Sequence, residues 1–390
     1  MSARNRLKID RPLVLLYAVL ALWGVFTIYA AVYDEEHSQL FDLSQEYGKQ
    51  LLWVATSALL AAGVLLVDRK IWVNYAPLWY AIAVVLLAAV LFVGKTVGGA
   101  KSWFAIGSFS LQPSEIGKFT TILALAYYMS FPRIDIKRWG ARLVAAAIIV
   151  LPTLLIGVQP DLGSALVYMS LLLVLYREGM PGYYFGAVFA VGAVAILGLL
   201  VPVSTALIVL GVLFILVFLL LPKKSKYILG NVGFSSLAVG LIFAVDAIME
   251  RLLAPHQQVR IKVLLGLQDD PSGAGYNTLQ SLIAIGSGGL KGKGYLNGTQ
   301  TKLNFVPEQS TDYIFCTIGE ELGFVGTSLL LLTFSALIGR IVFLAEKQKN
   351  TFARVYGYGV AIILFVHFTI NIGMTIGLLP TIGIPLPFLD

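Results

Sequence analysis

Between two hydrophobic blocks, the chain reads Gln268-Asp-Asp-Pro-Ser-Gly-Ala-Gly-Tyr276, then Gly286-Ser-Gly-Gly-Leu-Lys-Gly-Lys-Gly294, then Pro307-Glu-Gln-Ser-Thr-Asp-Tyr313. These segments are the polar core of a stretch that runs from Arg251 to Gly326. Carboxylates, amides, lysines and glycines are concentrated there, whereas nearly all the rest of the chain is apolar. The contrast predicts a membrane protein whose helices hold a polar, chemically active segment in place.

The composition excludes an ordinary soluble protein. Of the 390 residues, 58% are hydrophobic and 13% are charged, whereas soluble domains contain about 25% charged residues. The net charge of +7 does not indicate nucleic acid, because most basic residues lie in short loops between apolar runs. The single cysteine, Cys316, rules out an intrachain disulfide.

Apolar runs of about 17–25 residues are candidate membrane helices. They predict an all-α fold, a polytopic integral membrane helix bundle formed as a single domain over residues 1–390, with one large structured extracytoplasmic loop at 249–311. The first run is too long for a signal peptide and is predicted to be an uncleaved span. Eleven runs are present, at 12–33, 49–67, 72–94, 112–131, 142–158, 161–176, 181–202, 204–221, 229–248, 312–344 and 356–379.

Lysine and arginine in the short loops set the orientation. With the N-terminus inside the cell, the basic clusters at 4–11, 133–142 and 223–226 all lie on the cytoplasmic side. The long loop 249–311 then lies outside, and it carries most of the outer positive charge. Long loops cross the membrane regardless of charge, so this loop is either a solvated basic surface or an anion-binding site.

The glycine-rich run Gly286–Gly294 is not a nucleotide-binding loop. A P-loop needs glycine where the chain has Ser287, and serine or threonine where it has Gly294. The run can nevertheless bring its backbone close to a ligand, and Lys291 and Lys293 are point charges suited to phosphate. The residues alone leave two interpretations open, a phosphate-binding loop and a plain loop at the membrane surface.

Asp269 and Asp270 are adjacent carboxylates followed by Pro271. Each should disfavour ionisation of the other, and a carboxylate whose pKa is raised is a better general base. The same residues readily form a hydrophilic turn. Local chemistry leaves both interpretations open and does not choose between the two aspartates.

Charged residues inside apolar runs cost about 2.5–3.5 kcal/mol each at a helix centre. Glu115 and Lys118 are three residues apart, so they share one helix face and can pair. Glu320 and Glu321 begin a second polar patch in a later run. Such residues are functional groups or structural ion pairs that face the bundle interior.

No zinc site is predicted, because His37, His256 and His367 lie far apart and lack zinc-binding spacing. A divalent cation, Mg²⁺ or Mn²⁺, remains an open alternative, since such ions use few protein ligands together with substrate phosphate. No other cofactor is predicted.

A series of long motifs resembles the SEDS (shape, elongation, division and sporulation) family, and the resemblance covers nearly the whole chain. Gly298-Thr-Gln300 and the Lys-Gly-Lys-Gly run make the chain more similar to the elongation branch, RodA, than to the division branch, FtsW. The motifs are Gln112–Lys118, Gln159–Ser164, Asp270–Tyr276, Gln280–Gly294, Phe305–Asp312, Glu320–Gly323 and Pro385–Phe388.

The resemblance implies a peptidoglycan glycosyltransferase that polymerises lipid II on the outer face of the bacterial cytoplasmic (inner) membrane during cell elongation. It also implies a class B penicillin-binding protein as the partner that crosslinks the strands. It places the essential acidic residue at Asp270, which would take the proton from the acceptor sugar's 4-hydroxyl. The implied substrate-binding residues are Arg260, Lys101, Lys291, Lys293, Gln280, Glu308 and Asp312, and the intramembrane polar residues are Glu115, Lys118, Asp161, Glu320 and Glu321.

Two departures from the family pattern are expected. Family members commonly have about ten spans, so residues 203–248 are predicted to be a two-helix insertion, which leaves Asp270 on the outer face. The family continues past Pro-Leu-Pro-Phe-Leu with a further helix, so the last family helix is expected to be missing after residue 390.

Two other functions remain open. A transporter, for instance a lipid II flippase, would use Glu115, Lys118 and Glu320 or Glu321 as its pathway. A non-catalytic scaffold would only recruit the crosslinking enzyme. The polar residues are concentrated in one outer loop, and this favours the enzyme, because a flippase needs polar groups through the whole membrane depth.

Overall fold

The computed structural model divides the chain into two compact units, Met1–Met180 with Asn277–Asp390, and Pro181–Tyr276. The segment predicted as an insertion, 203–248, lies in the second unit together with the helix before it. The structure describes residues 9–33, 42, 45–97, 99–107, 109–220, 222, 224–251, 258–259, 262–263, 267–268, 275–303 and 305–389.

The described chain is almost entirely helical, which confirms the all-α prediction. Its helices are α1 Arg11–Val32, α2 Glu46–Leu66, α3 Arg69–Asn74, α4 Ala76–Val93, α5 Pro113–Met129, α6 Trp139–Val158, α7 Leu162–Ser170, α8 Leu172–Arg177, α9 Tyr183–Leu200, α10 Val203–Leu220, α11 Ser225–Arg251, α12 Tyr276–Gly288, α13 Thr299–Lys302, α14 Ile314–Glu346 and α15 Thr351–Thr375.

Within the described residues, nine helices are long and apolar enough to cross a membrane, so the protein is a multi-pass membrane protein. They are α1, α2, α4, α6, α9, α10, Tyr227–Met249 of α11, α14 and α15. The other two predicted spans are also helical but shorter. The run 112–131 forms α5, which has 17 residues, and the run 161–176 forms α7 and α8 with an interruption at Leu171.

A small sheet departs from the helical pattern. Strands β1 Lys95–Val97, β2 Ala100–Ile106 and β3 Phe109–Leu111 pair antiparallel in the order β1-β2-β3. The sheet connects the end of α4 to the start of α5. Its central strand is tied to the end of α6, because Lys101 donates its backbone N–H to the carbonyl of Gln159 at 3.2 Å.

Ion pairs mark one end of the first unit, which we call the Arg340 end. Arg340 lies 2.7 Å from Asp10, and Arg354 lies 2.7 Å from Glu178. A third pair joins Arg177 to Glu346. Glu320 and Arg340 lie near opposite ends of α14. The polar residues around Glu320 and Lys118 therefore lie at the end of the first unit away from Arg340, which we call the Lys118 end.

Two buried clusters hold the helices of the first unit together. One joins α5, α6, α8 and α15 around Leu125, Ile149 and Val355, and the other joins α1, α14 and α15 around Leu20 and Phe334. Lipid tails are as apolar as these side chains, so close packing and hydrogen bonds supply the stabilisation.

The C-terminal segment, residues 376–389, packs against the helices of the first unit. Leu386 and Leu389 are fully buried in the second of those clusters. Its backbone approaches α1 so closely that a Cβ atom on Gly24 would lie 2.3 Å from the carbonyl oxygen of Phe388. The segment is therefore an integral part of the first unit's core.

The second unit contains three packed helices, α9, α10 and α11. They meet around a small buried cluster made of Val194, Ala206, Leu210, Ala238 and Ile242. Small alanine side chains let two of these helices approach closely, as is common between helices in lipid.

Candidate active site

Lys118 is held in a buried cluster at the start of α5. Pro113 occupies the first turn of this helix, where its missing N–H costs nothing. Three residues separate Glu115 from Lys118, and the Lys118 Nζ atom lies 2.6 Å from Glu115 Oε2 and 2.9 Å from His367 Nε2. The lysine side chain is 8% exposed and the glutamate side chain is 51% exposed. The predicted Glu115–Lys118 pair is thus present, with its carboxylate accessible.

His367 is a residue that the sequence analysis missed. Its Nε2 atom faces the Lys118 ammonium group, which only donates hydrogen bonds, so Nε2 is the accepting nitrogen. The Nδ1 atom therefore carries the hydrogen, and it donates to the Pro385 carbonyl at 3.2 Å. His367 and Asn371 are four residues apart in an apolar run, and this one-sided polar pattern is the signal that could have identified them.

Asn371 connects Asp312 to the C-terminal segment. Its Nδ2 atom donates to the carbonyl oxygens of Asp312 and Ile384, both at 2.9 Å. A Cβ atom on Gly383 would lie 3.4 Å from Asp312 Oδ2, so the Asp312 carboxylate faces this segment. Because Pro385 also contacts His367, Asp312 and Lys118 are joined through a few residues of the chain.

Asp161 caps α7 and contacts the start of α5. Its Oδ1 atom accepts from the backbone N–H of Ser164 at 3.0 Å, as an N-cap aspartate does. Its Oδ2 atom accepts from the Ser164 hydroxyl at 2.8 Å and from Gln112 Nε2 at 3.0 Å. Asp161 was predicted as an intramembrane polar residue, and it lies at the Lys118 end with both oxygens bound.

The carboxylate of Glu320 is fully buried and is bound on every side. Lys293 Nζ lies 2.6 Å from Glu320 Oε1. The backbone N–H groups of Thr299, Gln300 and Thr301 donate to the same carboxylate at 2.8, 2.8 and 3.0 Å. Glu320 therefore caps the N-terminus of α13 and neutralises Lys293, and we call these five residues the Glu320 network.

The glycine-rich run contacts a helix. A Cβ atom on Gly288 would lie 2.0 Å from the carbonyl oxygen of Gly319, and one on Gly292 would lie 2.0 Å from that of Glu321. At Gly323, where φ is 62° and ψ is −160°, α14 is broken. The sequence left open a phosphate-binding loop and a plain loop, and neither interpretation included this packing role. The absence of side chains lets the two backbones approach closely.

Four backbone hydrogen bonds cross this contact. The N–H groups of Lys293 and Gly294 donate to the carbonyls of Glu320 and Glu321, both at 3.0 Å. In return, the N–H groups of Phe324 and Val325 donate to the carbonyls of Gly289 and Leu290 at 2.9 and 3.2 Å. The run thus supplies partners for backbone groups that the break in α14 leaves free.

The predicted cationic residues have different environments. Lys101 Nζ donates to the carbonyl of Phe92 at 3.0 Å, in the last turn of α4, where a cation is favourable. Lys293 is paired with Glu320, whereas Lys291 is exposed. Arg260 and the proposed base Asp270 lie outside the described residues.

The remaining predicted residues are spread from α12 to α14. Gln280 is half-buried on α12, and Glu308 is exposed and accepts from the Thr311 hydroxyl at 3.1 Å. Glu321 lines a cavity beside α1. Within the part of the chain that the structure describes, no group of three or more histidine, cysteine or acidic residues could hold a metal ion. The Mg²⁺ or Mn²⁺ alternative stays a prediction, because Asp269 and Asp270 are not described.

The arrangement as a whole gathers polar groups at one end of an apolar bundle. It joins an accessible carboxylate, Glu115, to a buried ammonium group, and it builds a rigid connection between the glycine-rich run and α14. Such a surface can bind the polar head of a lipid whose tail remains among the helices.

Comparisons with known proteins agree with this architecture. Residues 11–203 and 202–390 match the family model described as cell cycle protein, FtsW/RodA/SpoVE. The peptidoglycan glycosyltransferase MrdB of Escherichia coli (strain K12) is 32% identical over 389 residues, which cover 99% of this chain and 89% of the relative. The peptidoglycan glycosyltransferase RodA of Treponema pallidum (strain Nichols) is 32% identical over 100% of this chain and 94% of the relative.

Solved structures show the same fold. One, described as a peptidoglycan synthase complex that coordinates polymerization and crosslinking, superposes with a TM-score of 0.71 at 24% identity, covering 99% of this chain and 92% of that chain. The rod shape determining protein RodA of Thermus thermophilus gives a TM-score of 0.62 at 23% identity, over 99% of this chain and 91% of that one.

Proposed function

Because the chain belongs to the FtsW/RodA/SpoVE family, we propose that it polymerises lipid II into glycan strands on the outer face of the cytoplasmic membrane. The protein is a peptidoglycan glycosyltransferase, as its relatives at 32% identity are named. The observation that carries the proposal is that this similarity extends over 99% of the chain.

The proposed reaction is a single displacement at the sugar. The acceptor's 4-hydroxyl oxygen bonds to the anomeric carbon of the donor, and the bond from that carbon to the lipid pyrophosphate oxygen breaks. Asp270 takes the proton of the attacking hydroxyl, a role worth about 10²–10⁴-fold in rate. The configuration at the anomeric carbon is inverted, and the leaving pyrophosphate takes the electron pair.

Cationic groups must stabilise the charge that develops on the leaving pyrophosphate. Among the predicted candidates, Lys291 has an exposed side chain, and Arg260 belongs to the same outer loop. Lys293 and Lys101 already bind groups of the protein, which makes them positioning residues in this scheme. Asp269 and Asp270 are the residues that would hold a divalent cation, which would supply further positive charge for the leaving group.

The orientation proposed here rests on the distribution of charge. Three ion pairs involving arginine lie at the Arg340 end, and basic residues in short loops favour the cytoplasmic side. The Lys118 end and the glycine-rich run then face outward, where lipid II is polymerised. The extended hydrocarbon tail of the substrate stays among the helices.

A class B penicillin-binding protein is the proposed partner, and cell elongation is the proposed role. The structural similarity to a synthase complex that coordinates polymerization with crosslinking supports this partner. The identity of 32% to both MrdB and RodA supports a role in elongation over one in division.

The test is polymerisation of lipid II by the purified full-length chain with its partner in liposomes. Asp270→Asn should abolish glycan strands, and the adjacent Asp269→Asn should retain most of the activity, with both variants inserted equally. Polymer made by Asp270→Asn would refute the assignment of the base. Translocation of labelled lipid II without any polymer from the wild-type chain would refute the enzyme and support the flippase.

A further inference from the structure

A lateral cavity of about 510 Å³ lies between α1 and α14. Its walls are mostly apolar, and its lining includes Val19, Leu22, Trp23, Phe26, Ile318 and Leu322. The lining includes no residue of the Lys118 cluster. Its apolar walls and its position on the flank of the bundle suit a hydrocarbon chain.

Two polar atoms in the lining have no hydrogen-bond partner. They are Thr317 Oγ1 and Glu321 Oε1, on side chains that are 1% and 2% exposed. Because the two residues are four apart on α14, they lie on the same helix face. A buried polar atom left without a partner is costly, by about 1–3 kcal/mol. Both atoms are therefore free to accept hydrogen bonds from a ligand in the cavity.

The other polar groups of the lining already use their hydrogens. The Tyr295 hydroxyl donates to the carbonyl of Phe26 at 3.0 Å, and burial raises its pKa to about 12, so it remains a neutral donor. The Thr27 hydroxyl donates to the carbonyl of Trp23 at 2.8 Å. What remains in the cavity is an unpaired carboxyl oxygen, so the ligand must supply hydrogen-bond donors.

The charge of the site selects among lipid head groups. The described lining contains Glu321 and no lysine or arginine. A basic residue further along the chain, Lys302, has its ammonium group 5.2 Å from the ring centre of Tyr33. Lys302 acts on Glu321 through its charge but is not part of the lining. A bare phosphate or pyrophosphate would therefore face the carboxylate inside the cavity, whereas an ammonium group is complementary to it.

The depth of the carboxyl group matches the head-group level of the membrane. Arg340 lies 17 positions after the break at Gly323 in α14, which corresponds to about 26 Å of helix at 1.5 Å per residue, and Glu321 lies just beyond the break. This is close to the hydrocarbon thickness of about 30 Å. With Arg340 at one interface, Glu321 lies at the other, beside Tyr295, whose residue type is common at interfaces.

We infer that this cavity binds a phospholipid with a primary ammonium head group, of the phosphatidylethanolamine class. One acyl chain lies against α1 and α14, and the ammonium group donates hydrogen bonds to Glu321 Oε1 and Thr317 Oγ1. Three N–H donors on one nitrogen can satisfy both acceptors at once. The inference does not depend on the proposed function.

The test is native mass spectrometry of the full chain released from mixed lipid. Phosphatidylethanolamine and phosphatidylcholine with identical acyl chains are offered together, so that they differ only in the N–H donors. The wild-type chain should retain phosphatidylethanolamine in preference by about tenfold, the effect of one charge-assisted hydrogen bond. Glu321→Gln and, to a smaller extent, Thr317→Val should remove this preference.

Matched controls are available in the same chain. Thr333→Val changes a half-buried threonine of α14 that does not line the cavity, and Glu46→Gln changes an exposed acidic residue at the start of α2. Both should keep the wild-type preference, and thermal unfolding verifies that all four variants are folded. Equal retention of the two lipids by the wild-type chain, or an unchanged preference in both Glu321→Gln and Thr317→Val, would overturn the inference.

A second measurement locates the bound lipid. Phosphatidylethanolamine with a brominated acyl chain should quench the fluorescence of Trp23, and Trp23→Phe should remove that part of the quenching. Quenching that is unaffected by Trp23→Phe would mean that the lipid binds elsewhere. A different result would be that an added transmembrane peptide abolishes the quenching to the same extent for every lipid head group. That result would assign the cavity to a protein partner and overturn the inference.

Discussion

The ammonium nitrogen of Lys118 lies 2.9 Å from Nε2 of His367, a residue 249 positions further along the chain. This contact joins α5 to α15, and through Pro385 it also joins both helices to the C-terminal segment. One imidazole ring therefore connects three separate parts of the fold at the Lys118 end.

His367→Leu should destabilise the protein by about 1–3 kcal/mol, the cost of leaving a buried donor without its acceptor. His367→Gln should recover part of the loss, because its amide oxygen can accept from Lys118. Thermal unfolding in detergent measures both variants. Equal stability of the leucine and glutamine variants would show that the ring contributes packing alone.

Glu320 should be more sensitive to substitution than its partner Lys293. Glu320→Ala leaves a lysine and three backbone N–H groups without their acceptor, and breaking such a buried pair costs about 3–5 kcal/mol. In Lys293→Met the backbone N–H groups still bind the carboxylate, so the loss should be smaller. The unfolding temperatures of the two single variants and the double variant check this order. A larger loss in Lys293→Met than in Glu320→Ala would show that the lysine is the main stabilising group.

Gly292→Ala should destabilise the contact between the glycine-rich run and α14 by about 1–3 kcal/mol, as overpacking does. The added methyl group would lie 2.0 Å from the carbonyl oxygen of Glu321, and Gly292 also has a φ of 77°. Gly286→Ala is the matched control, because a Cβ atom there meets nothing within 4 Å. Its unfolding temperature should equal or slightly exceed that of the wild type, and a similar loss in both variants would contradict the prediction.

The stability contributed by Asp10 should depend on pH. Its hydrogen bonds with Arg340 hold the pKa of Asp10 below its ordinary value of 3.8. The folded pKa is therefore below the unfolded one, so this contribution is present above pH 3.8 and is lost as the pH falls through the folded pKa. Asp10→Asn should lower the unfolding temperature at pH 7, and the difference should shrink in acid.

Asparagine also caps helices, so Asp10→Asn keeps the bond to the Leu13 N–H and removes only the charge. Asp68→Asn is the control, because Asp68 caps α3 through the N–H of Lys70. A pH-independent difference for Asp10→Asn would assign its effect to capping and not to the ion pair.

Much of this fold follows from local pattern. Each predicted apolar run forms one helix or two consecutive helices in its described residues, because length and hydropathy are local properties of the chain. The breaks at Tyr75 and Leu171 were not predicted. The Glu115–Lys118 pair was predicted for the same reason, since three residues of helix bring the two groups together. Asp270 and Arg260 stay predictions.

Contacts between distant residues were not predictable from the pattern. His367 looked isolated because its partner belongs to α5. The sequence left the glycine-rich run open as a phosphate-binding loop or a plain loop, since a glycine required by an approaching helix has the same sequence signature as one required by a phosphate. Lys293 looked available for a substrate because its counter-charge, Glu320, lies in another hydrophobic run. Only the three-dimensional packing distinguishes these cases.

The break at Gly323 has a consequence for how the protein is assembled in the membrane. The N–H groups of Phe324 and Val325 find their acceptors on Gly289 and Leu290, outside their own helix. An amide without an acceptor in hydrocarbon costs several kcal/mol. We therefore expect α14 to reach its final form only after the glycine-rich run has folded against it, so that four backbone hydrogen bonds fix the order of assembly.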